Sequence, residues 1–251
     1  MCKTIKTAIT VTLFTALLSG CASNNGMSKD QLSHRENILL KANNYGGLIA
    51  LYRNELKIKE DDLTRLKLAN AYYLAGDSKS SLYYLQPIVN KENESFCLLQ
   101  AKNLINNNDT VAAQLAVKKL LAISPNNAEA HNLNGITLAN SGETHKAEAA
   151  FEKSRALFIS DETAMNNLAV VAMLDDRYTD AVRILLPNYL AGKRNHLMIH
   201  NLVFSLIQLG DIQYAKKIIV AEKITENPDE LVLALSQVSQ LSQEQLSHKG
   251  A

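Results

Sequence analysis

The chain has no tryptophan, and among its 251 residues only ten are glycine, four proline and three cysteine. So little turn chemistry argues against many short strands, and a chain dominated by Leu, Ala, Asn and Ser reads as all-helical. No sign of charge predominates: 26 Lys and Arg face 25 Asp and Glu. A balanced chain lacks the electrostatic footprint of a nucleic-acid binder, and no nucleic-acid partner is expected. No hydrophobic run is long enough to span a bilayer. The longest uncharged apolar stretch, Thr7 to Leu18, reaches only ~18 Å at about 1.5 Å per residue, against a hydrocarbon core of about 30 Å. Cys2 lies before this stretch and Cys21 just after it, so Cys97 is left without an intramolecular partner and no disulfide framework is expected. Phosphate loops, nucleophile elbows and zinc-protease helix motifs are absent too. No base, nucleophile and orienting group converge, so the chain is not expected to be an enzyme or to need a cofactor. His196 and His200 stand one helical turn apart, but a pair without a third ligand is a weak metal signal.

What is present begins at the N-terminus. Lys3 and Lys6 precede the apolar stretch, and Ser19 and Gly20 follow it, which is the order of a secretory signal. Leu18-Ser19-Gly20-Cys21 resembles the bacterial lipobox. That resemblance implies removal of residues 1–20 and acylation of Cys21, the alternative being an ordinary signal with an incidental cysteine. The mature chain would carry a net charge of −1. Ala22 and Ser23 follow the cysteine, with no aspartate, which in such lipoproteins implies the outer membrane, periplasmic face. Each buried methylene contributes about 0.8 kcal/mol and stable anchoring takes more than one chain, so multiple acylation would tether the protein.

The strongest signal is a 34-residue repeat starting at Glu94, Ala128, Glu162 and His196, with a further copy from Asp62. Counting each start as position 1, position 8 holds Ala69, Ala101, Gly135, Ala169 and Val203. Position 20 holds Ser81, Ala113, Ala147, Ala181 and Ala215, and position 24 holds Leu85, Val117, Phe151, Leu185 and Ile219. At position 15 stand Gly76, Asn108, Gly142, Asp176 and Gly210, suited to a left-handed backbone that ends a helix. Small residues at 8 and 20 let two antiparallel helices approach, and larger ones fill the remaining space. A lone hairpin cannot bury its apolar face, so neighbours must stack. These features resemble tetratricopeptide repeats, although no Trp occupies position 4, where Cys97, His131, Met165 and Ile199 stand. The fold implied is an all-α, right-handed superhelical solenoid of stacked antiparallel hairpins. Residues 1–20 then form the signal, 21–29 a short lipidated linker, 30–227 five to six repeats including a partial first, and 228–251 a capping helix with a frayed tail. The first copy pairs a helix from Gln31 to Ala42 with "NNYGGLIALYRNEL". Pro87 and Pro187 both fall at position 26, inside the second helix of their repeats, and are predicted to break it.

In the tetratricopeptide family, positions 2, 5, 9 and 12 of the first helix face a concave groove. This places Leu66, Leu98, Asn132, Asn166 and His200 at position 5, Asn70, Lys102, Ile136, Val170 and Phe204 at position 9, and Tyr73 beside them. The amides could pair with an extended peptide, and the apolar residues could take its side chains; alternatively, several of them only pack against the next hairpin. His131 and Cys97 occupy packing positions and read as core. Six of the nine tyrosines (Tyr45, Tyr52, Tyr72, Tyr73, Tyr83 and Tyr84) crowd the first third of the chain. Tyr83 and Tyr84 are adjacent and cannot both be buried, so a second interaction surface is possible there.

"YGGLIALYRNEL" running into "RLKLANAYYLAGD" and the regular repeats is similar to the TadD lipoproteins of tight-adherence (Flp) pilus assembly. The resemblance implies a pilotin-like scaffold that binds the outer-membrane secretin subunit or another pilus component. Other readings are a lipidated adaptor for a type IV pilus secretin or for cell-wall hydrolases or proteases and, more remotely, a metal-dependent hydrolase.

Overall fold

The computed structural model describes residues 28–249, with side chains to residue 238. The signal, Cys21 and most of the linker lie outside the described residues. Within them the chain forms thirteen helices and no strand. Six hairpins come first: α1 (Lys29–Lys41) with α2 (Tyr45–Ile58), α3 (Asp62–Leu74) with α4 (Ser78–Leu85), and α5 (Glu94–Asn106) with α6 (Thr110–Ile123). They continue with α7 (Ala128–Asn140) and α8 (Thr144–Ala156), α9 (Asp161–Leu174) and α10 (Tyr178–Leu190), and α11 (His196–Gln208) and α12 (Ile212–Ala221). A last helix, α13 (Pro228–Lys249), closes the series. Each helix packs on the next in chain order, and the odd-numbered helices from α3 to α11 also touch in succession. The odd helices therefore form an inner layer and the even helices an outer one.

Local chemistry explains the boundaries. Ser28, Asp61, Asn93, Asn127, Ser160 and Asn195 each accept a backbone N–H of the first turn of an inner helix, which stabilises a helix start by about 1 kcal/mol. The inner helices end where one residue turns left-handed: Asn43, Gly76, Asn108, Gly142, Asp176 and Gly210, with φ from 49° to 82°. In four of the six hairpins the next residue, an Asn or Asp, caps the outer helix at once. Only three residues separate the two helices of each hairpin, so the hairpin is tight.

Close approach follows from the small residues. Ala69, Ala101, Ala169, Ser81, Ala113, Ala147, Ala181 and Ala215 are all fully buried, and Leu85, Val117, Phe151, Leu185 and Ile219 fill the space beside them. In the α7–α8 hairpin the sizes are redistributed. Gly135 stands where other repeats have Ala or Val, and a Cβ there would lie 2.5–2.7 Å from three ring atoms of Phe151. Cys97 is fully buried and its Sγ donates to the Lys91 carbonyl. Burial pushes its thiol pKa up, away from the reactive thiolate.

Three expectations need correction or refinement. Helix α4 does stop two residues before Pro87, but α10 runs through Pro187 to Leu190. Tyr189, beyond the proline, is buried, stacks under the Arg194 guanidinium and donates to Glu222 Oε1 at 2.9 Å. Proline removes one hydrogen bond of about 1 kcal/mol, and the anchored Tyr189 outweighs it. His131 is half-buried rather than core, its Nε2 lying 2.9 Å from the Pro125 carbonyl, so it latches the preceding loop. Helix α13 takes up most of the 228–251 segment expected to cap the stack, from Pro228 to Lys249; the fraying expected of its tail falls largely on side chains outside the described residues.

Four tyrosines have raised pKa values. Burial is the first cause for Tyr52, Tyr72, Tyr178 and Tyr189, and hydrogen bonds from Tyr52 to Glu36, Tyr178 to Asp176 and Tyr189 to Glu222 add to it. Tyr178 is pushed up to about 12 from 10.0. A folded state that holds its phenolic protons longer than the unfolded one loses stability as pH rises. Stability should hold below about pH 10 and fall as pH climbs through about 12. Thermal unfolding followed by circular dichroism should show that fall, and Tyr178→Phe should flatten it. An unchanged slope in that variant would refute the assignment.

Candidate functional site

The inner helices place the groove positions along one wall. Leu66, Asn70, Leu98 and Lys102 meet at its N-terminal end around a cleft of about 310 Å³ that also touches Lys67, Ser95 and Leu99. The two leucines are half-buried and give it an apolar floor. Its two cations are already engaged: Lys67 Nζ lies 2.9 Å from Glu36 and Lys102 Nζ 3.2 Å from Glu129. The cleft therefore offers apolar contact and amide hydrogen bonding more than free positive charge.

Further along, the wall is partly used by the solenoid itself. Asn132 is buried and its Oδ1 accepts from Asn167 Nδ2 at 2.7 Å. Asn166 repeats the arrangement, accepting from Asn201 Nδ2 at 2.9 Å. Position 5 of one repeat is thus clipped to position 6 of the next, and each clip takes one of the two acceptor sites on the carbonyl oxygen that a peptide N–H would use. Asn167 and Asn201 were missed by the sequence reading. Their recurrence one repeat apart was the available signal, but a pairing between repeats requires knowing how neighbours are staggered. Ile136, Val170 and Phe204 are half-buried, and Phe204 sets its ring against the Tyr178 ring at 6.0 Å. Tyr73 is half-buried against the α4–α6 core. His200 is exposed, with its ring 6.3 Å from that of His196. Among the described residues no three His, Cys, Asp or Glu side chains are grouped to hold a metal ion, and no helix is long and apolar enough to cross a membrane.

The inner layer, the three-residue turns and the buried small residues decide the comparison with solved structures. The fold is that of tetratricopeptide-repeat proteins. A thermophilic tetratricopeptide-repeat protein of Thermus thermophilus superposes with a TM-score of 0.58 at 18% identity, covering 69% of this chain and 97% of its own. A tetratricopeptide repeat protein from Parabacteroides merdae superposes with a TM-score of 0.61 at 12% identity, over 84% of this chain and 98% of its own. MamA from Desulfovibrio magneticus gives 0.54 at 14% identity, over 64% and 94%. No protein-family model and no curated protein matches the chain. In this tetratricopeptide-repeat solenoid, the concave wall and its N-terminal cleft form the candidate site.

Proposed function

We propose that the chain is a lipid-anchored, protein-binding scaffold on the periplasmic face of the outer membrane, serving Flp/Tad pilus assembly in the manner of a pilotin. The observation that carries this reading is a concave wall with an apolar, amide-rimmed cleft, on a chain whose Leu18–Cys21 motif supplies a tether. An extended segment of the secretin subunit, or of another pilus component, would lay an apolar side chain between Leu66 and Leu98. Asn70 would hydrogen-bond its backbone, and Phe204 and Val170 would extend the contact. Acyl chains on Cys21 would hold the solenoid at the membrane while the groove holds the partner.

Two measurements test it. Cys21→Ala should move the protein from the membrane fraction to the soluble one. In cells lacking the protein, secretin multimers should fall and the secretin should lose its outer-membrane location. Unchanged multimers reject the pilotin role. Recovery of cell-wall hydrolases without secretin, after cross-linking at membranes, would select the adaptor reading instead.

A further inference from the structure

Outer helices α2, α6, α8 and α10 run 13 or 14 residues and α12 ten, whereas α4 has only eight. The difference from the longer four is about five residues, or ~8 Å of helix, and its cause is Pro87. Past α4 the chain folds inward: Ile88 is buried, and the Val89 N–H donates to Asp62 Oδ2 at 3.1 Å. The shortened helix leaves a cleft of about 430 Å³ on the outer face, bounded by α2, the start of α3, and α4.

Its construction differs from that of the groove. Leu56 and Leu68 lie at its apolar base, and Tyr83, Tyr84 and Pro87 form one side. Tyr84 stacks on Tyr72 at 5.3 Å with planes 9° apart, and Tyr83 sets its edge to Tyr84 at 5.2 Å. Three rings are thus locked together, yet Tyr83 remains 66% exposed. Around the rim stand Arg53, Lys57 and Arg65 against a single carboxylate, Glu60, which pairs with Arg65. Arg53 and Lys57 make no ion pair among the described residues. Aromatic rings of fixed geometry with a polar tip cost little entropy to use as contacts, and unpaired cations beside them select a negatively charged occupant.

We propose that this outer cleft is a second docking site, distinct from the concave groove, for an acidic segment of a partner protein. The segment seats one aromatic or large apolar side chain against Tyr83 and Tyr84, and its carboxylates meet Arg53 and Lys57. The solenoid then holds two partners, or two parts of one, on opposite faces.

Fluorescence anisotropy with the full chain and a fluorescein-labelled Asp-Glu-Phe-Glu-Asp peptide tests this. Saturable binding is expected that weakens with added salt. The double substitution Arg53→Glu with Lys57→Glu should weaken it at least about tenfold, and Tyr83→Ala should weaken it several-fold. Both change exposed side chains, and circular dichroism verifies that the fold is kept. Phe204→Ala, in the concave groove, should leave peptide binding unchanged, which separates this site from the groove. The proposal is overturned if the peptide does not saturate, if charge reversal leaves binding intact, if a Lys-Arg-Phe-Arg-Lys peptide binds as well, or if an oligothymidine binds equally through the same residues.

Discussion

Replacing Gly135 by alanine is expected to destabilise the solenoid by up to about 2 kcal/mol, although the exchange alone should favour the helix. Alanine gains about 1 kcal/mol over glycine in a helix interior. Against this, the new Cβ would sit 2.5–2.7 Å from the Phe151 ring, and overpacking of this kind costs about 1–3 kcal/mol. The ring has little room to withdraw, since Phe151 is buried among Ala147, Leu168 and Val171. The steric cost therefore wins. Phe151→Ala should be worse, by about 3–5 kcal/mol, because Gly135 has no side chain to fill the void. Combining Gly135→Ala with Phe151→Leu recreates the Ala169 and Leu185 pairing of the next repeat, and should recover much of the loss. Urea unfolding of Gly135→Ala, Phe151→Leu and the double variant measures the coupling. Strictly additive effects would show that the glycine and the phenylalanine do not compensate one another.

Deleting α13 should be more damaging than Gly135→Ala. Val232 is buried on the cluster formed by Leu202, Val203, Leu206, Ile207, Ile218 and Ile219, with Leu231 and Leu235 half-buried beside it. Gln208 Nε2 also donates to the Leu235 carbonyl, and Lys216 pairs with Asp229. At about 1.5–3 kcal/mol for each fully buried aliphatic side chain, one buried and two half-buried residues contribute about 3–6 kcal/mol. A chain ending at Asn227 should unfold at lower temperature and associate through the uncovered α11–α12 surface, since terminal repeats need a polar outer face to stay soluble. Thermal melts and light scattering at increasing concentration check both effects. A truncated chain that is monomeric and equally stable would remove the capping role. Val232→Asp should reproduce part of the loss without shortening the chain.

Much of this architecture was legible before any coordinates, and the reason is locality. A left-handed residue at position 15, a capping Asp or Asn after it and alanine at position 20 act within one hairpin. Each can be read from spacing alone: Gly76, Asn108, Gly142, Asp176 and Gly210 all took the left-handed conformation, and the small residues opposite were fully buried. Gly135 beside Phe151 follows the same rule, in that one position's loss of volume matches another's gain. The candidate site was less legible. For Asn132 and Asn166 the spacing left open peptide pairing or packing against the next hairpin, and each accepts a hydrogen bond from an asparagine of the following repeat.

The sequence by itself determined the period, the hairpin turns and the buried small-residue seam, because each depends on neighbours within about one repeat. Tertiary structure alone decided which prolines break a helix and which groove amides stay free. Pro87 and Pro187 occupy the same repeat position, yet only the second is followed by an anchored tyrosine, Tyr189 held by Glu222 and Arg194. The outcome at each proline is a balance between one lost hydrogen bond and the contacts made beyond it. Those contacts come from the next hairpin, which the spacing within a single repeat does not specify.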